Sequence, residues 1–214
     1  MATEGTVHDD IEFQVTVSVV EENARELLAD LAFTNSTPPA LRRRLAKGTC
    51  SAVIYQVPEA TWTDAILEAV AEVADRDKLL RIEPNETKRR AGFDWLAERM
   101  GEGRMVVGVS HAPESTLPPL LMSLAEHRIV IDPPSASLVA SVIKRILKGR
   151  LPRWFHELRT EVLTFDELTA LMPQGGKAST AAGRIKSAIE ARLSVSKSKG
   201  LPSLKDALEF GEAR

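Results

Sequence analysis

The chain has 214 residues, a formal net charge of −2, 43% hydrophobic and 27% charged residues, which excludes collagen-like, wholly disordered and disulfide-scaffold proteins. Three Trp, one Tyr and six Phe imply an aliphatic core, and a single Cys50 has no internal disulfide partner, so nothing calls for an oxidising compartment. No run approaches the roughly 18 apolar residues of a membrane span, and the opening MATEGTVHDD is acidic where a secretory signal is basic; the expected location is the cytoplasm, away from any membrane.

The first ten residues are polar. Residues 11–20 (IEFQVTVSVV) alternate and are β-branched, as a half-buried strand or an arm would be. Residues 21–33 place Ala24, Leu27, Leu28 and Leu31 at helical spacing, and Asn35-Ser-Thr-Pro-Pro stops that helix before a short basic one around 41–47. Residues 51–57 (SAVIYQV) form a continuous buried-type strand ended by Pro58, followed by a helix capped at Thr61 or Thr63 that runs to Val73. The pattern recurs as strand 79–82, helix 92–100, strand 104–110, helix 117–126, strand 128–131 and helix 138–148. Alternation at this spacing predicts an α/β fold: a three-layer αβα sandwich around a parallel sheet, with right-handed crossovers.

After Gly149 the strands stop. Residues 152–159, 164–172 and 178–193 read as helices, and Thr164 with Glu167 has capping-box spacing. Residues 194–200 (SVSKSKG) read as a flexible basic linker and 201–214 as a short helical or extended segment. The expected organisation is an acidic segment with helices over 1–49, an α/β core over 50–149, a helical lid over 150–193 and a linker over 194–214. Charge is polarised: residues 1–34 hold eight acids against Arg25 alone, whereas 141–200 hold twelve Lys and Arg against five acids. That asymmetry suits head-to-tail contact between copies or an acidic partner.

Three stretches together resemble an AAA-type ATPase module of the P-loop NTPase class. Residues 128–146 (RIVIDPPSASLVASVIKRI) resemble the strand, Pro-containing turn and helix that lead toward the family's lid. Residues 163–189 (LTFDELTALMPQGGKASTAAGRIKSAI) resemble the lid, and residues 105–118 (MVVGVSHAPESTLP) the strand and loop presenting a sensor residue, here Ser110. The phosphate-binding loop is missing. Such a loop needs glycines whose amides face phosphate, a Lys for the terminal phosphates and Ser or Thr for the metal. Val57-Pro-Glu-Ala-Thr-Trp-Thr has no Gly and no Lys, Pro58 removes an N–H, and Glu59 adds a negative charge. Nor does an Asp-Glu pair end a strand: residues 79–82 run into Glu83-Pro84 and 105–110 into His111.

The resemblance thus implies a degenerate domain with no catalytic residue, no metal site and no cofactor of its own, whose vestigial nucleotide pocket falls on Pro58, Thr61, Thr63 and Ser110. Residues 200–214 resemble the linker into a catalytic domain of bacterial AAA-family ATPases, so ATP and Mg²⁺ are implied only for a downstream domain. The implied partners are that domain and neighbouring copies in a hexameric ring, with Arg128, Arg184, Arg153 and Trp154 as inter-subunit contacts.

Rival readings attach to other residues. Gly108-Val-Ser110-His-Ala112 is a G-x-S-x-A elbow, and Ser110, Asp132 and His156 follow the α/β-hydrolase order, although Pro113 and Pro118-Pro119 point to an extended loop where that fold needs a helix. His8, His111, His127 and His156 lack metal-ligand spacing. Arg42-Arg-Arg44 with Lys144, Arg145, Lys148 and Arg150 would suit a nucleic-acid adaptor, while Asp94, Glu98 and Glu102 read as solvated helix decoration.

Overall fold

The computed structural model describes residues 23–82 and 94–198. Helices α1 (Ala24–Ser36) and α2 (Pro39–Ala46) precede strand β1 (Ala52–Gln56). A 3-10 turn (Ala60–Trp62) leads into α3 (Thr63–Val73), followed by β2 (Leu79–Ile82), α4 (Asp94–Gly101) and β3 (Met105–Ser110). Two short helices, α5 (Pro113–Thr116) and α6 (Pro119–Leu124), connect to β4 (His127–Val130) and then α7 (Ala136–Ile146). Beyond it come 3-10 turns at Arg153–Glu157 and Thr160–Val162, α8 (Phe165–Ala170) and α9 (Ala178–Ser198).

The four strands are all parallel in the order β2-β3-β1-β4. In β1, Val53 and Tyr55 enter one apolar core and Ala52 and Ile54 the other. Burial on both faces explains why its sequence is a continuous apolar run. The larger core holds Leu28 of α1, Ile66 of α3, Ile143 of α7 and Phe165 of α8; the smaller holds Leu96 of α4 and Leu121 of α6. This is the expected three-layer α/β sandwich. The helical region after Gly149 contributes Phe155, Phe165, Leu168 and Ile185 to the same core as the sheet.

The crossovers share one hand. The step from β1 to β2 moves away from β4 with α3 in the larger core, whereas the returning steps, β2 to β3 and β3 to β4, run through α4 and α6 in the smaller core. Reversing direction and face together preserves handedness.

Local details differ from expectation for identifiable reasons. Neither Thr61 nor Thr63 caps α3: a 3-10 turn enters first, Trp62 holds the cap position without a side-chain bond, and Thr63 is the first helical residue. The helix expected over 117–126 is the shorter α6, which starts at Pro119, and a separate helical turn, α5, precedes it; both are Pro-initiated. Pro113 likewise starts a helical turn rather than an extended loop. The helix expected over 152–159 is a 3-10 turn at Arg153–Glu157, and 194–198 continue α9 instead of serving as a linker. The Thr164–Glu167 capping box is present. The strand or arm read over 11–20 and the segment 201–214 lie outside the described residues.

One ion-pair cluster joins α2 to the start of the sheet. Glu126 accepts from the Ser51 N–H at 2.7 Å and from Arg44 at 2.5 Å, while Arg44 also meets His127 Nε2 at 3.0 Å. The Ser51 amide first, and Arg44 with it, hold the Glu126 carboxyl down from 4.5 to about 2 against the opposing effect of burial. Because the folded-state value is depressed, this contribution is complete above pH 4.5 and is lost as pH falls toward 2. The groups are partly solvated, so screening leaves about 1 kcal/mol. Glu126→Gln is expected to flatten the acid limb of stability against pH by that amount, as read by urea melts across the interval.

Candidate functional site

The exits of β1 and β3 diverge: β1 leads to α3 on the larger core and β3 to α5 and α6 on the smaller. Neighbouring strands whose connections leave on opposite faces create a switch point, where open parallel sheets bind ligands. Here the two ends are tied together, because the Val57 N–H donates to the Ser110 carbonyl at 3.0 Å. The Ser110 side chain is fully buried, shares a 2.5 Å hydrogen bond with Thr116 Oγ1 and accepts from the Ala112 N–H.

The following turn is spent on the protein itself. The Trp62 N–H donates to the Glu59 carbonyl and the Thr63 N–H to the Ala60 carbonyl, while Pro58 has no N–H. Glu59 reaches across to α8, where its Oε1 accepts from the Phe165 N–H at 2.5 Å. The Glu59 carboxylate is thereby fixed between the turn after β1 and the start of α8. Behind it, Trp62 and Phe165 pack with ring centroids 4.3 Å apart, 1% and 0% exposed.

Arg25 covers this junction from α1. Its guanidinium lies 4.8 Å from the Phe165 ring centroid and donates to Asp166 Oδ1 at 2.6 Å and to the Thr61 carbonyl at 2.9 Å. The buried Thr160 hydroxyl donates to the Pro134 carbonyl at 2.6 Å, tying the lid to the exit of β4. What remains is a cleft of about 220 Å³ lined by Pro58, Glu59, Pro133, Pro134 and residues 161–164, with Trp62 at its back. That is below the roughly 300–1,000 Å³ of ordinary ligand pockets, and its ionisable lining residues, Glu59 and Glu161, carry the same charge as phosphate.

Of the four residues expected around a vestigial pocket, Pro58 lines this cleft, Thr61 contributes only its carbonyl to Arg25, and Thr63 and Ser110 are buried. Arg128 donates to the Met122 carbonyl and lies 3.7 Å from Glu114. Arg184 and Arg153 are exposed, and Trp154, 38% exposed, lies under Lys186. These four residues are spread over β4, the first lid turn and α9.

The rival constellations are not assembled. Among the described residues Ser110 has no hydrogen bond to Asp132 or His156, both of which are exposed. Also among the described residues, no group of three or more His, Cys, Asp or Glu stands close enough to hold a metal, and no helix is long and apolar enough to cross a membrane. Cys50 is buried against Met105, and burial pushes its thiol up. The Arg25–Phe165–Trp62–Glu59 cluster was not legible as a unit, although Arg25 is the lone Lys or Arg in the acidic first 34 residues.

No family model matches this sequence, and no curated protein matches it. The structure of C. elegans PCH-2 is similar over 80% of this chain and 67% of that chain, with a TM-score of 0.41 and 14% identity.

Proposed function

We propose that this chain is a non-catalytic, AAA-like domain that serves assembly, regulation or partner recruitment in an ATPase of the bacterial type, with hydrolysis carried out by a downstream domain. The observation that carries this reading is the Glu59 carboxylate bonded to the first amide of α8, with Trp62 stacked on Phe165 behind it. A triphosphate at the turn after β1 would meet that fixed negative charge and find the Trp62 and Thr63 N–H groups already bonded to the Glu59 and Ala60 carbonyls. The rigid sheet and attached lid then act as docking surfaces for neighbouring copies in a hexameric ring, with Arg128, Arg153, Trp154 and Arg184 available at the surface.

The test is a titration of Mg·ATP followed by calorimetry and thermal melting. No saturable heat and no rise in melting temperature are expected. Saturable binding that disappears in Thr61→Ala or Thr63→Ala would overturn the reading.

One observation favours a second reading, a nucleic-acid adaptor. Lys148 and Lys177 are exposed residues paired in a parallel backbone bridge, and neither they nor Lys144 and Arg150 have an ion-pair partner among the described residues. On that reading duplex or single-strand binding falls with salt, and Lys148→Gln with Lys177→Gln lowers the salt slope.

A further inference from the structure

Beyond α7 two turns build a projecting basic knob. Lys148 and Lys177 pair in a parallel backbone bridge, in which the Lys148 N–H donates to the Gly176 carbonyl at 3.2 Å and the Ala178 N–H to the Lys148 carbonyl at 2.9 Å. The roots of the knob, Leu147, Met172 and Ala178, are buried in the larger core. Its tips stand in open space: Gly149 and Gly175 take φ of +97° and +72°, and a Cβ on either would meet nothing within 4 Å. Lys148, Arg150 and Lys177 are exposed. Holding two like charges in register opposes folding, and no carboxylate of the described residues pairs with them to offset it.

The complement lies where α1 meets α3 and α7. A groove of about 390 Å³ is lined there by Glu26, Leu27, Asp30 and Leu31 of α1, Glu72 of α3 and Arg145 of α7. Three carboxylates against one guanidinium leave it acidic, and Glu26 and Glu72 have no ion-pair partner among the described residues. Leucines between the acids suit the alkyl stems of lysine and arginine, whose charged ends then reach the carboxylates.

The two surfaces do not meet within one molecule: no ion pair joins Lys148, Arg150 or Lys177 to Glu26 or Glu72. Helices build one and backbone-tied turns the other, so neither has to be ordered on contact. A nucleic acid on the knob would use the same lysines and leave the acidic groove without a role. Because the surfaces differ, contact between copies is heterologous, each copy offering a knob and receiving one. We propose that the knob of one copy docks in the groove of the next, Lys148, Arg150 and Lys177 facing Glu26, Asp30 and Glu72. This rests on the reading of neighbouring copies as partners and assigns the surfaces that meet.

The test is sedimentation velocity of the full chain across protein concentration, at about 50 and about 500 mM salt. Two variants reverse one surface each: Lys148→Glu/Lys177→Glu on the knob and Glu26→Lys/Glu72→Lys in the groove. Arg43→Glu/Lys47→Glu, at exposed positions of α2 and its cap outside both surfaces, makes the same change in charge as the knob variant and is the control. The parent is expected to associate at low salt and to dissociate at high salt. Each reversed variant alone is expected to associate at least about tenfold more weakly, and the control within about twofold of the parent. Mixing the two reversed variants is expected to restore association, because each reversed surface then meets opposite charge on the other protein.

Parent association that either reversed variant retains in full would overturn this assignment and leave copies as the partners. If the knob variant then lost binding to a single-stranded oligonucleotide, the knob would belong to nucleic acid instead. An equal loss in the control would also overturn the assignment, since the effect would be one of net charge. A parent that stays monomeric at low salt up to about 1 mM would overturn both the assignment and the reading of copies as partners.

Discussion

Trp62→Ala is expected to lower stability by roughly 3–5 kcal/mol, the range for truncating a large buried aromatic. Trp62 is 1% exposed and packs on Phe165, the first residue of α8. Its removal opens a cavity where the turn after β1, α1 and the lid converge. The neighbours have little freedom to collapse into it, because Arg25 holds the Thr61 carbonyl and Asp166, and Glu59 holds the Phe165 amide. For a chain of this size such a loss corresponds to a fall in melting temperature of roughly 6–20 °C. Near-UV circular dichroism and a thermal melt read both parts. A fall of less than about 2 °C would mean that the ring does not bear on the junction.

Gly108→Val is expected to cost roughly 1–3 kcal/mol, through overpacking on the opposite face of the sheet. Gly108 lies in β3, where a Cβ would stand 2.8 Å from Leu121 Cδ2 and 3.0 Å from Leu117 Cδ1. Both leucines belong to the smaller core. Alanine asks only for rotation of two flexible side-chain ends, whereas the branched valine needs room that two fully packed leucines do not leave. Gly108→Ala is therefore expected to stay within about 1 kcal/mol of the parent. Urea melts of the three proteins separate the outcomes: equal midpoints for valine and parent would show that α6 shifts freely on the sheet.

The contrast between these positions explains what was legible in sequence. The strands were visible because parallel strands buried on both faces are short, dense apolar runs, such as AVIYQ and MVVGVS, and turn residues punctuate them. The capping box was visible because it is a local pattern. Helix entries that depend on tertiary contacts were not: Thr63 has the chemistry of a cap, yet Trp62 is drawn inward by Phe165 and the chain tightens into a 3-10 turn before α3 begins. Similarly, the polar composition of 194–198 suggested a linker, whereas α9 continues through Ser198.

The candidate site was half legible. The absence of Gly and Lys after β1 and the presence of Glu59 could be read from a few consecutive residues. What Glu59 does could not, since its partner Phe165 is 106 positions away. The same holds for Arg25 with Asp166, separated by 141 positions. Neither contact leaves a periodicity or a motif, because each depends on how the first helix and the lid fold back over the sheet.

The most direct measurement is a crystal structure of the chain grown with excess Mg²⁺ and a non-hydrolysable ATP analogue. The account requires the Glu59 carboxylate to stay on the Phe165 amide and Trp62 to stay against the Phe165 ring, with no nucleotide at the turn. A triphosphate held by the backbone of residues 57–63, with Glu59 swung away, would contradict it.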